Sequence, residues 1–169
     1  GSIEDASGNA DAPIYDIGLA AERVAAAVAA ARSLPYRFTL TARAENYLWG
    51  RPDLKDTIKR LQAFQEVGAD VLYAPGLKTR EEIAAVVSSV DRPVNVVMGL
   101  VGAQLSLEEL SKIGVRRISV GSSLQRAALG AFLRAAGEMS AKGTFTYAAE
   151  AASPKDVTPI FDSFRSREA

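Results

Sequence analysis

Three times in this chain a helical pattern ends on a glycine, passes into a β-branched run and stops in a loop of small residues. The clearest joints are Gly68-Ala69-Asp70, ahead of Val71 to Ala74, and Gly114-Val115-Arg116, ahead of Arg117 to Val120. A helix closed by a glycine and followed directly by a strand is the joint of βα repeats, which build parallel sheets.

The remaining segments fall in with this rhythm. Gly1 to Asp5 reads as the end of a strand, and Asp16 as the N-cap of an Ala-rich helix over 17–31, with Leu19, Val24 and Val28 at helical spacing. Phe38 to Arg43 is a second strand that stops on a cation; Pro52-Asp53-Leu54 then opens a helix that Gly68 closes. Thr79 with Glu82, and Ser106 with Glu109, are capping boxes. Pro93 to Met98 is nearly apolar throughout, as a strand covered on both faces should be. Leu124 to Lys142 predicts a long helix, Thr144 to Ala152 is ambiguous, and Ser153 to Phe164 predicts a last short helix pinned by Ile160, Phe161 and Phe164. Five strands result. A closed (β/α)8 barrel needs eight, and the same local pattern also suits an open doubly wound sheet.

Composition narrows the chemistry. The chain has 169 residues, 48% hydrophobic and 24% charged, as a soluble globular domain should. Lys plus Arg is 20 and Asp plus Glu is 20, so no excess charge argues for nucleic acid or an anionic membrane as partner. No Cys and no His are present, which excludes a thiolate metal site, a Cys nucleophile and a Ser-His-Asp triad. Carboxylates, Lys, Tyr or water remain for proton transfer. Neither a membrane span nor a signal peptide is legible, and a cytoplasmic location is expected.

In parallel α/β folds the loops after the strands carry the chemistry. Arg43 therefore stands out: its fixed fork of donors suits a carboxylate or phosphonate. A structural pairing with a strand-end carboxylate fits the same position equally well. Tyr15, Tyr36, Tyr47 and Tyr73 are possible proton donors or packing residues, with Tyr47 and Trp49 best placed to line a pocket. Ser119, Ser122 and Ser123 suit an anion site at a helix start, or plain capping. No dinucleotide fingerprint or P-loop is present.

Several stretches arrive in a telling order: Ser2-Ile3-Glu4-Asp5, Leu40-Thr41-Ala42-Arg43-Ala44-Glu45, Gly68 through Gly76, Arg92-Pro93-Val94-Asn95-Val96, and Arg117 through Gly121. Together they resemble the isocitrate lyase and phosphoenolpyruvate mutase superfamily, most of all its phosphonomutase-like branch. The resemblance implies part of a (β/α)8 TIM-type barrel, about its last five βα units, over residues 1–143, with a C-terminal extension over 144–169. It implies Mg2+-dependent cleavage or rearrangement of a C–C or P–C bond in a small 2-oxo or hydroxy carboxylate, through an enolate. By this likeness Arg43 anchors the substrate anion, Glu4 supports the metal through its water shell with Asp5 beside it, and Asn95 lies near a substrate-binding amide. Arg43 is then expected to face the Glu4–Asp5 pair with room for a small dianion between them.

The chain also departs from the pattern. The lyase branch carries a Glu near the tip of the sixth strand, and Tyr73-Ala74-Pro75-Gly76 offers none. The metal-binding Asp-x-Asp pair and the anion-binding Ser of the family belong to strands preceding the segment that matches Glu4. Ala6 to Pro13 lacks the Lys or Cys that several members carry on a gating loop. The expectation is a chain that is catalytically silent or very weak alone, with an uncovered apolar barrel interior. The alternative is a non-catalytic scaffold or ligand-binding remnant of the same barrel. Homo-oligomers that exchange the last helix are also implied, and Leu124, Ala127, Ala128, Ala131, Phe132, Ala135 and Ala136 give that helix an apolar, small-residue face.

Overall fold

The computed structural model describes residues 1–100 and 102–165, with side chains through residue 162. Five parallel strands are hydrogen-bonded in sequence order: β1 (Ser2–Glu4), β2 (Thr41–Arg43), β3 (Val71–Tyr73), β4 (Val94–Val97) and β5 (Arg117–Ser119). Between them run α1 (Ile17–Arg32), α2 (Leu54–Glu66), α3 (Arg80–Ser88) and α4 (Leu107–Ile113). After them come α5 (Ser123–Lys142), a 3-10 turn (Thr146–Glu150) and α6 (Pro154–Arg165).

Strand order decides between the two sheets that the local pattern allowed. A doubly wound sheet reverses its direction of growth and carries helices on both faces. Here every crossover steps to the next strand in the same direction, and right-handed crossovers then place all the intervening helices on one face. The result is an arc of a (β/α)8-type barrel.

Alternation along the strands sorts the side chains. Ile3, Ala42, Leu72, Val94 and Val96 share the helix-covered face by register. Ala42, Leu72, Val94 and Val96 are buried there with Ala20 and Val24 of α1, Leu61 and Phe64 of α2, Ile83 and Val86 of α3, and Leu110 of α4. The other face carries Ser2, Glu4, Thr41, Arg43, Val71, Tyr73, Asn95, Val97, Arg117 and Ser119. That face is mostly polar, which corrects the expected apolar interior. The near-continuous hydrophobic run of β4 is broken by Asn95, the residue that points away from the helices.

Local chemistry explains the element ends. Asp16 accepts from the Leu19 amide and caps α1, while Thr79–Glu82 and Ser106–Glu109 form both halves of their capping boxes. Gly114 adopts φ 97° behind α4, a left-handed conformation open to glycine at little cost. The second strand is shorter than predicted. Ladder pairing starts at Thr41, and the Leu40 amide donates instead to the Asp70 carboxylate at 2.9 Å. Asp70 is in turn bridged by Arg32 at 2.7 Å, so the lead-in is tied by side chains.

The chain divides into two compact units, Gly1–Ser123 and Leu124–Ala169. The hydrogen bonds explain why α5 groups with the segment beyond it. Glu138 Oε1 accepts from the Thr144 and Thr146 hydroxyls and the Thr146 amide, and Oε2 from the Tyr147 amide. The ambiguous segment thus becomes a 3-10 turn fastened to α5 by one carboxylate. In α6, Ile160 and Phe161 are exposed, and the side chain of Phe164 lies outside the described residues.

Candidate functional site

One row of residues crosses the open face of the sheet, each paired with the next: Glu4, Arg43, Tyr73, Asn95 and Arg117. It borders a cavity of about 460 Å3, whose lining includes Arg43, Tyr73, Asn95, Arg117 and Ser119 and the loop Pro75-Gly76-Leu77. The described lining residues include two arginines and no carboxylate.

Arg43 sits at the tip of β2. Its Nε donates to Glu45 Oε1 at 2.7 Å, its Nη1 lies 3.4 Å from Glu4 Oε2, and the guanidinium rests 5.2 Å from the centre of the Tyr73 ring. The two readings of Arg43 therefore coexist: it is paired to strand-end carboxylates and also borders the cavity. Burial pushes the Glu45 carboxyl above the ordinary carboxylate range, against the pull of Arg43. Burial likewise raises the Tyr73 phenol, again opposed by Arg43.

The expected space between Arg43 and an acidic pair is not there. Glu4 touches Arg43 directly, and the described lining of the cavity includes Arg43, Tyr73 and Asn95 but neither Glu4 nor Asp5. Asp5 is also not beside Glu4, because adjacent residues at a strand end point to opposite faces. Its carboxylate turns to the helix side, where Oδ1 accepts from the Glu45 amide at 2.8 Å and Oδ2 from Arg60 Nη1 at 3.0 Å. It is 2% exposed, and burial raises its pKa despite those two donors. Asp5, expected beside the metal, is thus a buried strut whose two carboxylate oxygens are held by the Glu45 amide and Arg60.

Asn95 does reach the cavity. It is 1% exposed, its Nδ2 donates to Ser119 Oγ at 3.0 Å, and its Oδ1 accepts from Arg117 Nη1 at 2.7 Å. Tyr47 donates to Glu82 at 2.9 Å, which with burial pushes its phenol up to about 12, and Trp49 is exposed. Neither borders the cavity; their neighbour Leu48 does. Arg117 and Glu45 were not singled out by sequence reasoning, whereas Ser119 was, as part of a possible anion site at a helix start. The available signal was parity: Arg117 and Ser119, and likewise Arg43 and Glu45, stand two apart at strand ends.

Among the described residues no group of three or more carboxylates could hold a metal ion. With Asp5 engaged by Arg60 and Glu45 by Arg43, Glu4 is the one carboxylate of this set that is half exposed. Mg2+ demands near-octahedral oxygen coordination, and these residues by themselves do not fit it.

The family description for phosphoenolpyruvate phosphomutase matches residues 1–140. The chain belongs to that family. A crystal structure from Burkholderia cenocepacia J2315, provisionally described as a lyase/mutase, is 61% identical with a TM-score of 0.91. The match covers 95% of this chain and 58% of that one. A phosphonopyruvate hydrolase crystallised with oxalate and Mg2+ is 26% identical with a TM-score of 0.75, over 99% of this chain and 60% of that one. An uncharacterized protein of Mycobacterium tuberculosis H37Rv is 32% identical over 141 residues, which are 82% of this chain and 50% of the relative. The chain thus spans about half the length of the curated relatives it matches. The sequence resemblance and the barrel-type fold agree with these matches. No helix among the described residues is long and apolar enough to cross a membrane.

Proposed function

We propose that this chain supplies the anion-holding wall of a lyase or phosphonomutase active site. The whole protein would cleave or rearrange a C–C or P–C bond of a small 2-oxo or hydroxy carboxylate, or a phosphonate, through an enolate. The observation that carries this reading is the cavity with two arginines and no carboxylate in its described lining. Electropositive donors in a concave site stabilise both a bound carboxylate and the charge that develops beside it. Arg43 and Asn95 are the substrate-binding residues, and Tyr73 keeps the Arg43 guanidinium in place. Crystallisation of a phosphonopyruvate hydrolase with oxalate and Mg2+ supports the ligand class and a metal requirement for the whole protein. A divalent cation would draw most of its ligands from outside the described residues, with Glu4 as this chain's contribution.

Taken alone, then, the chain is a binding module without turnover, in the cytoplasm. Oxalate titrated calorimetrically into the chain tests the site. Binding that Arg43→Gln weakens supports it; no binding at millimolar oxalate overturns it. Mg2+-dependent turnover of oxaloacetate or phosphonopyruvate by this chain would overturn the lack of catalysis. Self-association through α5 belongs to the same proposal, supported by the exposure of Leu124, Phe132 and Leu133. A monodisperse monomer by light scattering would count against it.

A further inference from the structure

We infer that Arg117 is an anion-binding residue of this cavity, and that the ligand is a small dianion bridging Arg117 and Arg43. This rests on the anion-site reading above and names its second arm. The first ground is charge. Arg43 is in contact with two carboxylates, Glu45 at 2.7 Å and Glu4 at 3.4 Å. Arg117 enters no ion pair among the described residues, so it holds the uncompensated positive charge of the lining.

The second ground is orientation. Asn95 is buried, and its Nδ2 is committed to Ser119 Oγ, which turns its carbonyl oxygen to Arg117. One Nη1 hydrogen bond at 2.7 Å positions the guanidinium, and the rest of its five-donor fork stays available. A fork of that shape accepts a carboxylate or phosphonate through two parallel bonds.

The third ground is convergence. Arg43 and Arg117 stand three strands apart, yet each contacts a residue of the strands between them: Arg43, which also touches Glu4 of β1, lies over Tyr73 of β3, and Arg117 bonds Asn95 of β4. Tyr73 and Asn95 are register partners on adjoining strands, about 4.8 Å apart. Two cations anchored above neighbouring residues suit two anionic groups joined through few bonds, as in a dicarboxylate or a phosphonocarboxylate. A monocarboxylate engages only one of them.

Calorimetric titration with oxalate and with pyruvate, on the unmodified chain and on Arg117→Gln, Arg117→Lys and Arg43→Gln, tests this. Arg117 is exposed and forms no ion pair among the described residues, and both Gln and Lys keep a donor for the buried Asn95 Oδ1 that Arg117 now satisfies. The unmodified chain should prefer oxalate to pyruvate by about tenfold or more, the scale of one charge-assisted hydrogen-bonded contact. Arg117→Gln should erase that preference, and Arg117→Lys should restore part of it. Oxalate preference that survives Arg117→Gln, or equal losses for the two ligands, overturns the bridging role and leaves the anion site standing. Failure of the unmodified chain to bind either ligand overturns both.

Discussion

The Asp5 carboxylate and the Arg60 guanidinium, 55 residues apart in the chain, meet at 3.0 Å on the helix-covered side of the sheet. Arg60 is further held by Asp56 at 2.7 Å and by the Tyr15 carbonyl at 2.7 Å. This pair ties α2 to the end of β1, and through the Glu45 amide it fixes the strand tip that bears Arg43. Arg60→Met strands a buried carboxylate and should cost about 3–5 kcal/mol in urea unfolding at neutral pH. Adding Asp5→Asn should recover part of the loss, because the uncompensated charge goes with it. Equal stability of the single and double variants would contradict this account.

Glu45 predicts a pH dependence. Its folded-state pKa stands above the ordinary 4.5, chiefly through burial. The folded state therefore binds this proton more tightly than the unfolded chain, and ionisation works against folding. The contribution of Glu45 to stability should fall as pH rises from about its ordinary value through the raised one. Urea midpoints across that window, compared with Glu45→Gln, should show the difference between the two chains growing with pH. A flat difference would show that the carboxyl titrates alike in both states.

Phe64 is fully buried between α2 and the sheet, whereas Phe161 on α6 is 64% exposed. Truncating a core phenylalanine removes apolar contact and leaves a cavity, so Phe64→Ala should cost about 3–5 kcal/mol. Phe161→Ala should stay within about 0.5 kcal/mol in the same denaturation series.

Gly114 closes α4 with φ 97°, and a Cβ there would meet Val87 Cγ1 at 3.2 Å. Gly114→Ala should destabilise the chain by more than about 1 kcal/mol, since both the left-handed backbone and the contact oppose a side chain. Gly137→Ala in α5, where a Cβ meets nothing within 4 Å, should be neutral or stabilising. Thermal melts of the two variants give the comparison.

Much of this protein was legible in one dimension. Helix starts at Asp16, Thr79 and Ser106, and the turn at Gly114, depend on residues within a few positions of each other. Hydrophobic periodicity and short-range capping therefore reported them. β2 starts later than its composition predicts: Phe38 to Leu40 has strand-like residues, but the Asp70 carboxylate, thirty positions away, takes the Leu40 amide.

The site divides the same way. Sequence order alone placed Arg43 and Glu4 at strand ends and marked the βα repeat, and the family resemblance added Asn95, inside the fourth strand. Only the tertiary structure decided that the strands lie in sequence order, that Asp5 faces Arg60 rather than the cavity, and that Arg117 stands beside Asn95 with no carboxylate partner among the described residues. The physical reason is that these facts are set by register between strands and by charges far apart in the chain, and no local propensity encodes which distant side chain will neutralise which.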